Sequence, residues 1–316
     1  MLILLSALAN ANATPPPMPE RQEFYGLHIG QSGVLVVSTS NGAYRSTDGG
    51  RHWTRTFSGN SLFIVNGQAI DDSTHGVTTP VCQSRDTGLH WKCGRVDGLQ
   101  AVDSTGAMYA KNEQLEISRD AGFTWRKTAP LPGMDFGAMA VHGKAIYVFW
   151  GEGILYKSTD QGAHWRIVAR DLTRTLSNES IDNFRIDARG ILYVLIARQM
   201  FSSRDDGRSW QRHTFGLPKK LRAISSFSVR GNTIYFQIFD ENLMGYSYMF
   251  AEKGARFYRS FDGKTAEKFA IDPKYGAVDF QSAPDGSLYM VTRKAILRSS
   301  DGGKTWMALK RKEIAW

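Results

Sequence analysis

An eight-residue pattern, Ser-x-Asp-x-Gly-x-x-Trp, recurs seven times in intact or worn form along the 316-residue chain. A repeat of this kind confines the fold to architectures assembled from one stacked unit. The copies begin at Ser46, Ser84, Ser118, Ser158, Ser203, Ser260 and Ser299. Their aspartates, Asp48, Asp86, Asp120, Asp160, Asp205, Asp262 and Asp301, are separated by 38, 34, 40, 45, 57 and 39 residues.

Each copy reads as a hairpin tip. The Asp carboxylate can accept hydrogen bonds from backbone N–H groups further along the turn, and the Gly takes a positive φ without steric cost. The Trp then starts the return strand and buries its ring between neighbouring sheets. Six of the eight tryptophans occupy this one place, which marks a structural role rather than a site. Upstream, Phe184 to Trp210 aligns without a gap on Phe280 to Trp306, sharing a turn Gly (Gly190, Gly286), a Leu-Tyr pair and the box. A unit is therefore strand, Gly turn, strand, turn, strand, box, strand. Short alternating apolar runs bounded by Gly, Asn and Asp make the strands antiparallel, and no helical periodicity is sustained.

The pattern resembles the Asp-box, or bacterial neuraminidase repeat, of sialidases, family 74 xyloglucanases, sortilin-type receptors and Ycf48-type photosystem II assembly factors. Seven units spanning about the whole chain look most like the single propeller of the Ycf48 type. The resemblance implies an all-β, seven-bladed β-propeller with four-stranded antiparallel blades and Asp-box hairpins. It also implies that the boxes lie on the blade periphery, remote from any active site. Residues 1–13 read as a signal peptide, 14–22 as an extended segment and 23–316 as one propeller. The ring would be sealed by Thr14 to Gln22 or by Lys310 to Trp316.

The apolar run Leu2 to Ala9, followed by the small-x-small site Ala11-Asn12-Ala13, points to export into the periplasm or the medium. Cys82 and Cys93 sit on opposite arms of the second box hairpin, each two residues outside the box, so an oxidising compartment would pair them. No other stretch is long enough to span a membrane. The two cysteines and seven unclustered histidines offer no metal site, and no cofactor motif is present.

The net charge of +9 points to an acidic partner: a protein face or an anionic glycan. Nucleic acid fits poorly, because no dense Lys/Arg block is interleaved with aromatics. In the resembled fold the box joins the third and fourth strands of a blade, so function would sit on the opposite, loop-bearing face. There the sixth unit departs most from the repeat. Tyr235 to Ser260 spans 25 residues, against 10 from Tyr193 to Ser203 and from Tyr289 to Ser299. The extra segment carries Met244, Tyr246, Tyr248, Met249 and Phe250, and the sixth box has Ala266 in the Trp place. Loops much longer than their siblings tend to be functional.

These residues, with Trp150 as a second apolar anchor and Arg198, Arg222, Arg293 and Lys294 as the charge complement, form the expected binding surface of a monomeric, non-catalytic binding or assembly module. The alternative is a glycoside hydrolase using a carboxylate pair drawn from Glu152, Asp240 and Glu241. A sialidase is disfavoured. Its arginine segment has a counterpart only in Phe184-Arg185-Ile186-Asp187, which aligns with an ordinary repeat strand.

Overall fold

The computed structural model describes residues 23–70, 79–131, 136–150, 153–170, 181–218, 224–230, 232–238, 256–269, 271, 277–292 and 294–309. They form seven four-stranded sheets, each drawn from one continuous stretch of chain. Blade I contains β1 (Phe24–Ile29), β2 (Leu35–Thr39), β3 (Gly42–Ser46) and β4 (Thr54–Ser58). Blade II contains β5 (Leu62–Val65), β6 (Gln68–Ala69), β7 (Thr79–Ser84) and β8 (Lys92–Val96). Blade III contains β9 (Leu99–Val102), β10 (Met108–Lys111), β11 (Leu115–Ser118) and β12 (Arg126–Lys127). Blade IV contains β13 (Phe136–His142), β14 (Ala145–Trp150), β15 (Ile154–Ser158) and β16 (Arg166–Ala169). Blade V contains β17 (Ile181–Ile186), β18 (Leu192–Ile196), β19 (Gln199–Ser203) and β20 (Gln211–Arg212). Blade VI contains β21 (Ile224–Arg230), β22 (Thr233–Ile238), β23 (Arg256–Ser260) and β24 (Glu267–Lys268). Blade VII contains β25 (Ala277–Ser282), β26 (Leu288–Thr292), β27 (Ile296–Ser299) and β28 (Met307–Ala308).

First strands touch in ring order, β9 with β13, β13 with β17, β17 with β21, β21 with β25 and β25 with β1, which places them innermost and closes the propeller. The expected architecture is therefore present, with one correction. Blade II is ordered β6-β5-β7-β8, and β5 runs parallel to β7 with Leu62 opposite Val81 and Val65 opposite Ser84. Its first strand, Leu-Phe-Ile-Val, has no polar residue and is buried on both faces, which suits the covered second position better than the innermost one. Asn66 and Gly67, with φ of 47° and 78°, make the tight hairpin that folds β6 inward against it.

Apolar clusters fill the seams between blades, and six of them receive a box Trp. Trp53 packs with Tyr289 and Val291 between blades VII and I. Trp91 joins Phe57 and Phe63 between I and II, and Trp125 joins Leu62, Ile64 and Met108 between II and III. Trp165, Trp210 and Trp306 do the same at the III–IV, IV–V and VI–VII seams. At V–VI, where the sixth box lacks its Trp, Phe215 supplies the ring. It stacks on Phe236 at 4.3 Å between centroids, and Phe236 stacks on Tyr258 at 5.4 Å.

Polar contacts reinforce five of these seams through the third residue after a box Ser. Arg45 Nε donates to the Thr87 carbonyl at 3.0 Å, and Arg126 Nη2 to that of Gln161 at 2.8 Å. Lys157 Nζ donates to Asp206 Oδ2 at 2.7 Å, Arg259 Nη1 to the Gly302 carbonyl at 2.6 Å and the Tyr289 hydroxyl to that of Gly49 at 3.5 Å. Part of the basic surplus is thus spent inside the fold, on the neighbouring blade.

The disulfide expected between Cys82 and Cys93 is present. The two residues are directly opposed on β7 and β8, with Cα atoms 4.1 Å apart.

Candidate functional face

The box face is chemically closed. In the first copy Asp48 Oδ1 accepts from the N–H groups of Arg51 and His52, both at 2.9 Å, and from Ser46 Oγ at 2.8 Å. Oδ2 lies 2.5 Å from His52 Nδ1. Burial raises the Asp48 pKa, but the hydrogen bonds from His52, Ser46 and Arg51 outweigh it and hold the carboxyl down at about 2. Asp120 and Asp205, bonded by Thr124 and by Ser209 in the same way, are also lowered to about 2. A carboxylate so satisfied has no proton to give near neutrality and no free oxygen with which to take one. Among the described residues, no three of His, Cys, Asp and Glu gather where they could hold a metal ion.

The opposite face is built from the turns between second and third strands. In blade V, Ala197 and Arg198, with φ of 49° and 59°, form a two-residue turn between β18 and β19. The Arg198 carbonyl accepts from Ile224 N at 2.9 Å, which fixes this tip against the first strand of blade VI. In blade VII the buried Thr292 hydroxyl donates to the Ala295 carbonyl at 2.8 Å and accepts from Lys294 N at 3.2 Å. Lys294 is thereby held at an exposed tip. Blade I repeats the device with Thr39, which donates to the Gly42 carbonyl at 2.8 Å and accepts from Asn41 N at 3.2 Å. Sequence reasoning passed over both threonines. Their signal is a Thr ending the second strand, three residues before the start of the third or the residue preceding it.

Arg198 and Lys294 therefore stand on the two blades that flank blade VI. Trp150 closes β14 of blade IV, its backbone paired with Phe136 and Ile154. The remaining expected residues, Arg222, Met244, Tyr246, Tyr248, Met249, Phe250 and Arg293, and the carboxylates Glu152, Asp240 and Glu241, lie outside the described residues. By chain order residues 239–255 fall between β22 and β23. No helix among the described residues is long and apolar enough to cross a membrane.

No family model matches the chain, and no curated protein matches it. Solved structures do. A family 74 xyloglucanase from Xanthomonas campestris matches with a TM-score of 0.63 and 15% identity over 95% of this chain. The chain spans 55% of the length of that enzyme. A virginiamycin B lyase from Staphylococcus aureus, solved as a catalytically inactive variant with quinupristin, matches with a TM-score of 0.55 and 10% identity, covering 90% of this chain and 97% of its own. A Ycf48 protein bound to a D1 peptide matches with a TM-score of 0.50 and 13% identity, covering 94% of this chain and 88% of its own. At these identities the likeness is one of fold, and the fold they share with this chain is the propeller.

Proposed function

We propose that the protein is an exported, monomeric binding or assembly module that engages a protein partner through the loop face of blades IV to VII. What supports this reading is that Trp150 ends β14, Arg198 and Lys294 lie in the second-to-third-strand turns of blades V and VII, and the sixth-unit insert falls between β22 and β23 in chain order. Two basic turns stand on the blades either side of blade VI, and the sixth-unit insert is rich in Met and Tyr, the composition of an apolar anchor with a polar rim. The peptide bound by the Ycf48 structure supports the class of partner, and the Cys82–Cys93 disulfide supports an oxidising compartment. An anionic glycan would use the same basic tips. The xyloglucanase likeness keeps glycoside hydrolysis by Glu152, Asp240 or Glu241 as the second reading.

The test is affinity capture from a periplasmic or secreted fraction with the whole protein and with a variant lacking Glu241 to Phe250. A stoichiometric protein should be recovered with the first and lost with the second, while both fold. Arg198→Glu with Lys294→Glu should slow association about tenfold at low salt and much less at high salt. Turnover of a panel of fluorogenic glycosides, lost on changing Glu152 or Asp240, would replace the binding reading with the enzymatic one.

A further inference from the structure

Five of the six box tryptophans satisfy their indole N–H within the protein. Trp53, Trp210 and Trp306 donate to the carbonyls of Gly50, Gly207 and Gly303 at 3.0, 2.9 and 3.1 Å. Trp165 donates to the Ala129 carbonyl at 3.0 Å, and Trp91 to Thr56 Oγ1 at 3.3 Å. Trp125 is the exception, since its N–H has no acceptor among the described residues. Part of its ring packs on the blade II–III cluster, and the residue also lines a concavity of about 210 Å³ where the end of β8 meets blade III.

The other walls of that concavity are unspent as well. Arg95, Asp97, Asn112 and Glu116 line it with Val96 and Ala110, and none of the four polar side chains is engaged in a hydrogen bond or ion pair among the described residues. Val96 and Ala110 are buried and give the hollow an apolar base. Below the roughly 300–1,000 Å³ of sites for drug-sized ligands, the space takes a single ring. The lining sets two carboxylates and an amide beside one guanidinium over an apolar base, so it offers hydrogen-bond acceptors and donors side by side. It suits a neutral ring with one apolar face and many hydroxyls, which stacks on an aromatic surface and exchanges hydrogen bonds with carboxylates, an amide and a guanidinium.

We propose that this concavity is a saccharide site that takes one neutral pyranose ring, with Trp125 as the stacking platform and Asp97, Asn112, Glu116 and Arg95 as hydroxyl partners. It lies on blades II and III, away from the loop-face sector of blades IV to VII, and stands or falls separately from that reading.

Saturation-transfer NMR titration of the whole protein with the methyl glycosides of glucose, galactose, mannose and N-acetylglucosamine tests it. At least one should bind with a Kd of about 1–10 mM, the range open to a ligand of so few atoms. Asp97→Asn with Glu116→Gln, on the solvent side of the site, should weaken that binding about tenfold or more. Trp125→Ala should do the same. Trp125→Phe, which keeps a smaller aromatic face and loses the N–H, should cost a few-fold, and it serves as the reading if the Ala variant fails to fold. Deleting Glu241 to Phe250 should leave the affinity unchanged. No binding by any of the four at about 100 mM, unchanged affinity in the Asp97/Glu116 variant, loss of binding on the 241–250 deletion, or binding of tetramethylammonium in preference to the glycosides would each overturn the proposal.

Discussion

Asp120 shows what a box aspartate is for. Its Oδ1 accepts from Ser118 Oγ and from Thr124 N, both at 2.9 Å, and its Oδ2 from Thr124 Oγ1 at 2.7 Å. The backbone N–H and the hydroxyl of Thr124 are the main reasons its pKa falls from 3.8 to about 2. A folded-state pKa below the unfolded value means that the ionised form is stabilised by folding. The contribution is complete above about pH 4 and is lost as pH falls toward 2. Asp48, Asp205 and Asp262 are lowered to the same level, so their contributions vanish in the same window. Acid titration followed by near-UV circular dichroism should show cooperative loss of structure beginning below about pH 4. Asp120→Asn should be less stable at neutral pH and show a shallower dependence in that window. The seam cations make a second residue-scale case. Lys157 Nζ is 4.8 Å from the Tyr147 ring and bonds Asp206 on the next blade, so Lys157→Met should cost about 2 kcal/mol in urea unfolding. The box aspartates were legible because seven copies show which positions stay the same. The purpose of Lys157 was not, although a basic residue stands directly before the box Ser in units one, four, six and seven, as Arg45, Lys157, Arg259 and Arg298. A charge in a sequence advertises a partner without saying whether that partner is another molecule or the next blade.

At the scale of the element, blades II and VI are where the repeat was bent. The missing Trp of the sixth box reads in sequence as a weakened blade, yet Phe215, in the connection from blade V, is buried and stacked on Phe236. Phe215→Ala should cost about 3–5 kcal/mol, comparable to truncating a box Trp, measured by chemical denaturation. His213 stacks beside it at 5.6 Å, with Nε2 2.8 Å from Ser202 Oγ and Nδ1 3.3 Å from the Gly263 carbonyl. Burial lowers its pKa from 6.5, the Gly263 carbonyl and Asp262 pull it back up in part, and Arg204 lowers it further. The neutral ring is therefore favoured by folding, and that stabilisation is present above pH 6.5 and lost as pH falls. His213→Phe should remove an early, shallow step of the acid titration that precedes the carboxylate window. This compensation escaped the sequence reading because the substitute ring comes from a different unit and a different alignment column. Blade II escaped it for a related reason. The run Leu62–Val65 announces a strand, but which neighbour it pairs with, and in which direction, depends on the blades that cover it.

For the molecule as a whole, the question left by the repeat was how the ring shuts. Blades I and VII each draw four strands from their own continuous stretch, so among the described residues no strand is shared across the seam. It is held by side chains: Phe24, Leu27, Trp53, Tyr289, Val291 and Leu309 in one cluster, with the Tyr289 hydroxyl on the Gly49 carbonyl. Sealing by Thr14 to Gln22 or by Lys310 to Trp316, expected from the sequence, falls on residues outside those described. A protein expressed without residues 1–22 and 310–316 should melt within about 2 °C of the full chain, since both closing blades stay complete. A large drop in Tm would assign the closure to one of those ends. The sequence alone determined the number of blades, the hairpin at each box, the packing of each box Trp at a seam between blades and the pairing of Cys82 with Cys93. All of these follow from local spacing repeated along the chain. Only the tertiary structure decided the parallel strand of blade II, the ring that replaces the sixth Trp, the cations spent on neighbouring blades and the indole N–H of Trp125, which takes no acceptor among the described residues. Each of these is a relation between two blades, and a periodic sequence describes one blade at a time.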